Sequence, residues 1–445
     1  MFIKPVLRLF DLTMIIISMV IGIGIFRNPS VIAVNAGSEN IFFLAWIIGA
    51  LVSVCGALTF AEIGSRFPVA GGFYKMFSVC YRPQLAFILI WTYILLNAGS
   101  TAAVALTGAQ YIAPIILPES MRNPTGEKLL FFIIIGILFF LNFLGIRMGS
   151  RTQNILSTIK IGLMLVLISA LFFIPIHDHK NIEAVSTSDQ NFFKALGISL
   201  IGVFFSYGGY QNTANLGADV KAPQKNMPRA ILAAMGLVMI LYLVINFAYI
   251  KVLGFHNVQA SPLIAADLAK VLFGNGGAAF ASIVIFISVL GFVNTVLLHN
   301  PRVMYAMAEE KILPPVFMKL NERKQVQEFA LIFYTSLTVI MFLFLQTYSD
   351  LLNYVIFNDT ISLAFAAFCI FIFRRKKTGD HIPGFRLKWF PFIPVVFILM
   401  QLTVTAYVVY SDPLNSFIGF IIMLCGFPVY YLLKNFSNRR SAEVS

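Results

Sequence analysis

Two short stretches put glycines and polar groups where a lipid-facing helix has no use for them. The first, "VIGIGIFRNP" at residues 20–29, carries Gly22 and Gly24 inside an apolar run and then Arg27 and Pro29. The second, "GVFFSYGGYQNTANLGADVKAPQKNMPRAI" from Gly202, carries Gly208 and Gly209 and then Tyr210, Gln211, Asn212 and Asn215. A glycine in a helix interior costs roughly 1 kcal/mol against alanine, so both stretches read as helix breaks. A break frees backbone N–H and C=O groups and exposes half-helix ends, which favour an anion at an N-terminus and a cation at a C-terminus. Two ionisable residues sit inside other apolar runs, Lys160 and Asp359. Their desolvation cost makes such residues functional candidates by default.

The elements that must position these groups are membrane helices. The chain has 445 residues, 59% of them apolar and 11% charged, a balance that a water-soluble fold could hardly cover with polar surface. Runs of about 20 mostly apolar residues, long enough to cross a hydrocarbon core of roughly 30 Å, number twelve. They start near Thr13, Ile41, Gln84, Leu129, Gln153, Phe192, Ala230, Ala278, Phe329, Leu351, Phe390 and Leu414. With the amino terminus in the cytoplasm, 25 of the 32 Lys and Arg fall on the inner side. The remaining seven are Arg27, Arg122, Lys128, Lys180, Lys194, Lys251 and Lys270. That bias predicts a multi-pass protein of the cell membrane, plasma or inner, with both termini cytoplasmic. The formal charge of +13 is then topological and calls for no nucleic acid, and "RRKK" at 374–377 reads as an inside anchor rather than a lipid-binding signal. Cys55, Cys80, Cys369 and Cys425 lie in spans or on the inner side without metal spacing, so no disulfide and no metal are expected.

No stretch reads as a separate soluble domain. The two broken spans are the first and the sixth, five spans apart. Glycine-interrupted segments at matching positions of two halves point to an inverted-repeat secondary transporter with its ligand at mid-membrane, where both helices unwind. The plainer alternative is that the glycines mark close helix packing. Polar residues at 210–215 favour an internal, cavity-lining site, because unsatisfied polar groups in hydrocarbon cost several kcal/mol each.

Four motifs, in order along spans one to eight, resemble the amino acid-polyamine-organocation superfamily, particularly its L-type amino acid transporter branch and bacterial relatives. They are "GIGIF" at 22–26, "AEIGSRFPVAGGFY" at 61–74, "FSYGGYQN" followed by "KAPQKNMPRAI", and "RVMYAMAEEKILP" at 302–314. The resemblance implies an all-α polytopic fold of twelve helices: a five-plus-five inverted repeat with helices one and six discontinuous. One membrane domain would cover residues 1–445, with halves at about 13–175 and 192–373 and accessory helices at about 390–434. It implies an amino acid permease working by alternating access. Backbone at Ile23, Gly24 and Ile25 would hold the substrate carboxylate. Carbonyls near Ser18, Met19 and Ile21, around Gly22, and near Phe204, Phe205, Ser206 and Tyr207 would hold the ammonium.

By the same resemblance Phe205 is an aromatic gate and Gly208 faces the bound side chain. Lys160 would fill the place of sodium in sodium-coupled relatives of the fold, the plainer alternative being a lysine that snorkels to the headgroups. Arg27 and Asp359 would pair as an external gate; alternatively Asp359 contacts a cationic substrate, or serves as polar glue between helices. Departures from the pattern are Ile23, where a small polar residue is common, and Ala218-Asp219, where two acidic residues usually stand. The loop at 113–127 lacks the cysteine by which animal members bind a heavy chain. The chain is therefore expected to work without a disulfide-linked partner, as a monomer or weak homodimer, with no cofactor.

A membrane enzyme should show paired carboxylates, metal-spaced histidines or a nucleophile with its base. The five histidines, His177, His179, His256, His299 and His381, offer no helical pair, and no G-x-x-x-x-G-K-[ST] loop occurs. An amino acid sensor on a transporter fold, or a channel, remains open as a rival. Span three, "WTYILLNAGSTAAVAL", has no acid to neutralise a cationic side chain, which leans toward neutral amino acids moved by exchange or proton coupling. Asp359 leaves a cationic amino acid or polyamine carrier as the alternative.

Overall fold

A computed structural model describes residues 3–174, 192–344 and 348–443. The expected loop residues His177, His179 and Lys180 lie outside the described residues. Among the described residues there are helices and three isolated bridges, and no strand. In chain order, span 1 is Leu9–Ala36, span 2 Glu39–Arg66, span 3 Pro83–Ile116, span 4 Pro124–Phe143, span 5 Ile146–Phe173 and span 6 Phe192–Asn215. Span 7 is Pro223–Leu253, span 8 Gly277–Glu309, span 9 Glu328–Phe344, span 10 Tyr348–Lys376, span 11 Phe392–Ser411 and span 12 Pro413–Lys434. Eleven of these regions are long and apolar enough to cross a membrane, and span 9 contributes a shorter apolar helix. The protein is an all-α, multi-pass membrane protein.

Local chemistry sets the helix ends. Ser38 Oγ accepts from the Ile41 amide at 3.4 Å, and Asn123 Oδ1 accepts from Thr125 and Gly126 at 3.0 Å each, filling orphan donors of a first turn. Pro83, Pro124, Pro223 and Pro413 each sit in a first turn, where a missing N–H costs nothing. Spans 5 and 7 begin at Ile146 and Pro223, seven residues before their apolar runs. Helix thus continues into polar flanks that hydropathy alone leaves out. Three further helices were not expected: Gly72–Cys80, Phe255–Ala260 and Ile264–Phe273.

Burial orders the spans. Span 3 hides 78% of its apolar window inside the protein and span 1 hides 67%, whereas spans 11 and 12 hide 28% and 22%. The broken span 1 is therefore central and the last two spans are peripheral. Its outer half packs along the helix of span 6, with Ile32 against Gly202, while its inner half packs on spans 5, 7 and 8.

Candidate functional site

Span 1 is helical over Leu9–Val20, breaks, and resumes over Gly24–Ala36. At the break the Ile21 amide closes the last inner turn on Ile17 O at 2.7 Å, and Ile21 itself leaves helical space at ψ 83°. The Gly22 amide turns back to Val20 O at 2.8 Å. The next amide with a backbone partner is Phe26, on Ile23 O at 3.1 Å. The amides of Ile23, Gly24 and Ile25 therefore take no partner within the protein among the described residues, and they form the N-terminus of the outer half-helix. Such a terminus is a ready-made anion site.

Span 6 is helical over Phe192–Tyr207 and then unwinds. Gly209 sits at φ 116°, a conformation that an L side chain rarely adopts, with its amide on Gln211 Oε1 at 2.9 Å. Two short 3₁₀ turns, Tyr210–Asn215 and Gly217–Asp219, carry the chain inward. Phe205 O receives the Gly208 amide at 3.4 Å, and among the described residues the carbonyls of Phe204, Ser206 and Tyr207 take no partner beyond their own helix. This end is the C-terminus of a helix, which favours a cation. The two ends are tied by Asn28. Its Nδ2 donates to Ser206 Oγ at 3.0 Å and to Gly202 O at 3.3 Å, while Gly24 packs directly against Ser206.

Between the ends lies a cavity of about 150 Å³. Of the expected site residues, Gly22, Ile23, Gly24, Phe204, Phe205, Ser206, Tyr207, Gly208 and Asp359 line it. Ile21, Ile25, Lys160 and Arg27 do not. Lys160 is fully buried and lies 14 residues into the helix of span 5. Its Nζ donates to Ile21 O at 2.6 Å, to Ser18 Oγ at 3.0 Å and to Ser18 O at 3.2 Å, so it does not snorkel. Two of the three span 1 carbonyls expected to meet an ammonium are therefore engaged by this lysine. Among the described residues Met19 O is the one left without a donor.

Val20 O is held by Tyr242 Oη–H at 2.7 Å from span 7, and Gly291 of span 8 leaves the room in which Ser18 and Lys160 meet. Arg27 is exposed and Asp359 half-buried, and the two form no ion pair in this structure. Sequence reasoning missed Asn28, Ser53, Asn97, Ser100, Thr360 and Gln401. Ser53 and Gln401 are isolated polar residues in apolar runs, while Asn28, Asn97, Ser100 and Thr360 stand near other polar residues, and neither pattern singles them out.

At the exit of span 6 Asp219 and Arg302 form a buried pair, with Arg302 Nε on Asp219 Oδ2 at 3.1 Å. Arg302 also donates to Leu298 O at 2.8 Å and Gln325 O at 3.3 Å. Asp219 O receives the amides of Val6 and Leu7 at 2.8 Å each, which pins the segment before span 1 to the exit of span 6. The single acid at 219 thus joins span 6 to span 8 and to the segment before span 1. Asn215 adds another: its Oδ1 accepts from the Phe73 amide at 3.1 Å and its Nδ2 donates to Tyr93 Oη at 3.2 Å. Among the described residues no group of His, Cys, Asp or Glu is arranged to hold a metal.

Residues 7–431 match the model of a family described as amino acid permease. The chain is 28% identical over 440 residues to a serine/threonine exchanger of Bacillus subtilis (strain 168), covering 97% of each chain. It is 29% identical over 425 residues to the large neutral amino acids transporter small subunit 2 of Oryctolagus cuniculus, covering 94% of this chain and 78% of that one. It is 27% identical over 420 residues to the cystine/glutamate transporter of Homo sapiens, covering 94% and 83%.

Proposed function

The chain belongs to the amino acid permease family, and from that membership we propose that it carries neutral amino acids across the membrane by alternating access, in exchange or with proton coupling. One observation carries the reading. The bare amides of Ile23 and Gly24 and the bare carbonyls of Phe204, Ser206 and Tyr207 belong to residues that line one cavity from opposite helix ends. A carboxylate suits the first end and an ammonium the second, the two charges of an α-amino acid. The ammonium rests on Met19 O and the span 6 carbonyls. Phe205 closes over the ligand and Gly208 leaves space for its side chain. Three relatives named for amino acid exchange or transport support amino acids as the substrate, and the one named for large neutral amino acids supports the neutral class.

Lys160 takes the place of an ion at the end of the inner half-helix, so sodium is not a coupling ion. Spans 1–5 and 6–10 form the two repeat halves, about 13–175 and 192–373, with spans 11 and 12 as accessory helices. The termini are cytoplasmic. The chain works without a heavy chain, as a monomer or weak homodimer, and carries out no chemical conversion.

The test is counterflow with purified protein in proteoliposomes, after a screen of L-amino acids for thermal stabilisation, since a ligand that binds only the folded state raises apparent stability. Saturable counterflow of a stabilising amino acid is the expected result. Binding without counterflow identifies a sensor and overturns the carrier reading.

A second reading rests on Asp359, which lines the cavity from span 10. A carboxylate there can meet a cationic side chain, or pair with Arg27 when the outer side closes. Exchanging the charges of Arg27 and Asp359 restores transport lost in the single variants if they pair. If Asp359 instead reads a cationic ligand, Asp359→Asn loses lysine or arginine transport and keeps that of neutral amino acids.

A further inference from the structure

Span 11 presents one face to the protein interior, and that face is apolar with one exception. Phe397, Gln401, Val404 and Val408 recur at helical spacing and are all buried, Gln401 being 3% exposed. Neighbours above and below fix the helix in rotation. Phe397 packs edge-on to Phe60 of span 2 with centroids 6.3 Å apart, and Tyr407 donates to Phe193 O of span 6 at 3.0 Å. Between these anchors Gln401 lines the central cavity together with Ser53, Tyr210, Thr360 and Phe397. Its Oε1 is buried and meets no hydrogen-bond partner among the described residues. Thr405, one turn further on, has its hydroxyl on Thr360 Oγ1 at 2.8 Å and on Gln401 O at 2.9 Å, so it does not fill the vacancy on the amide. A buried acceptor left without a donor destabilises the protein, and native proteins rarely tolerate one.

We propose that this arm of the cavity is a side-chain subsite in which the Gln401 carboxamide hydrogen-bonds a hydroxyl or amide group of the bound amino acid. The inference rests on the carrier reading and narrows it from neutral amino acids to those with a hydrogen-bonding side chain. A carboxamide both donates and accepts, so it matches a neutral polar group. A cationic group would look to the Asp359 carboxylate instead. A helix outside the two repeat halves thereby becomes a specificity determinant. A site that offers a buried hydrogen-bond partner discriminates against the isostere that lacks one, because its own group is then left unpaired.

The experiment compares threonine with valine, which share a shape and differ by a hydroxyl for a methyl, as competitors of uptake into proteoliposomes by the full chain. Wild type is expected to prefer threonine by about three- to tenfold, the weight of one hydrogen bond. Gln401→Met, which keeps length and removes the amide, is expected to bring the ratio to within about twofold of unity, threonine losing its hydrogen bond and valine no longer stranding the amide. A ratio that survives Gln401→Met overturns the proposal. So does an active wild type with no preference between the two.

Should the methionine variant fail to assemble, Gln401→Leu and the thermal stabilisation of wild type by each amino acid at equal concentration provide the same comparison. Equal stabilisation by both overturns the proposal. Wild type that moves no amino acid at all defeats the carrier reading and this inference with it. An unmoved ratio in active protein defeats this inference alone.

Discussion

The ammonium of Lys160 lies 2.6 Å from the carbonyl oxygen of Ile21, at the point where the inner half of span 1 ends. Three acceptors, two of them main-chain carbonyls, saturate its three donors, and no carboxylate pairs with it among the described residues. A helix C-terminus offers a cation up to about 2 kcal/mol, less than the several kcal/mol that burying the ion costs. Hydrogen bonds to a charged group contribute about 1.5–3 kcal/mol each, so the three bonds decide the balance. They hold only while span 1 stays broken, because an unbroken helix would use the same carbonyls internally.

Lys160→Met is therefore expected to release the break. It leaves Ile21 O and Ser18 O without their donor and costs about 2–4 kcal/mol, read as a lower melting temperature of purified protein. Uptake falls by more than about tenfold, because the amides of Ile23–Ile25 lose their fixed direction. Replacing sodium by choline leaves wild-type uptake unchanged. A wild type that requires sodium would contradict the assignment of this place to the lysine.

Gly291 gives a second handle on the same contact. A Cβ there would run into Ser18 Oγ and lie 2.9 Å from Lys160 Nζ, both held in hydrogen bonds. Gly291→Ala is expected to cost about 1–3 kcal/mol by overpacking and to lower uptake along with Lys160→Met. Gly162→Ala, on span 5 with nothing within 4 Å of its Cβ, is the control and should stabilise slightly. Melting curves of the two variants side by side make the comparison.

The two breaks were legible because glycine has a backbone meaning independent of neighbours: paired Gly22/Gly24 and Gly208/Gly209 interrupt otherwise apolar runs. The twelve spans were legible from hydropathy for the same local reason. What was not legible depends on which face a residue presents. Gln401 looks like any single polar residue in an apolar run and Asn28 like a companion of Arg27, and only the packed bundle shows that Asn28 ties two half-helices and Gln401 lines the cavity. The start of span 5 was less legible, because the flank "IRMGSRTQN" is polar and helical and the apolar run begins a turn or two after the helix does. The Ser18 and Ile21 carbonyls were expected to serve an ammonium, and they do meet one, that of the protein's own lysine.

The Asp219–Arg302 pair makes a separate prediction on the inner side. Both side chains are buried, at 0% and 2% exposure, and they join the exit of span 6 to span 8. Removing one charge strands the other. Asp219→Asn should cost about 3–5 kcal/mol and free the segment around Val6 and Leu7, whose amides depend on the position of residue 219. Faster hydrogen exchange at Val6 and Leu7, measured by mass spectrometry in detergent, is the expected sign. Unchanged exchange there would mean the segment is held by other contacts.

Gly209 and Gly22 separate what the breaks do for folding from what they do for binding. Gly209 holds a positive φ and its missing Cβ would lie 2.7 Å from Met19 O, so Gly209→Ala combines backbone strain with a clash against the last turn of the first half of span 1. The expected cost is about 1–3 kcal/mol, with loss of transport following loss of structure. Gly22 has no positive φ, and the nearest atom to its Cβ position is Val20 O at 4.0 Å. Gly22→Ala should leave the melting temperature equal or slightly raised. The added methyl enters the cavity that Gly22 lines, so half-saturation for the transported amino acid rises several-fold while the folded fraction stays constant. If Gly22→Ala transports with unaltered half-saturation, the span 1 break does not border the ligand, and the site must lie elsewhere along the cavity.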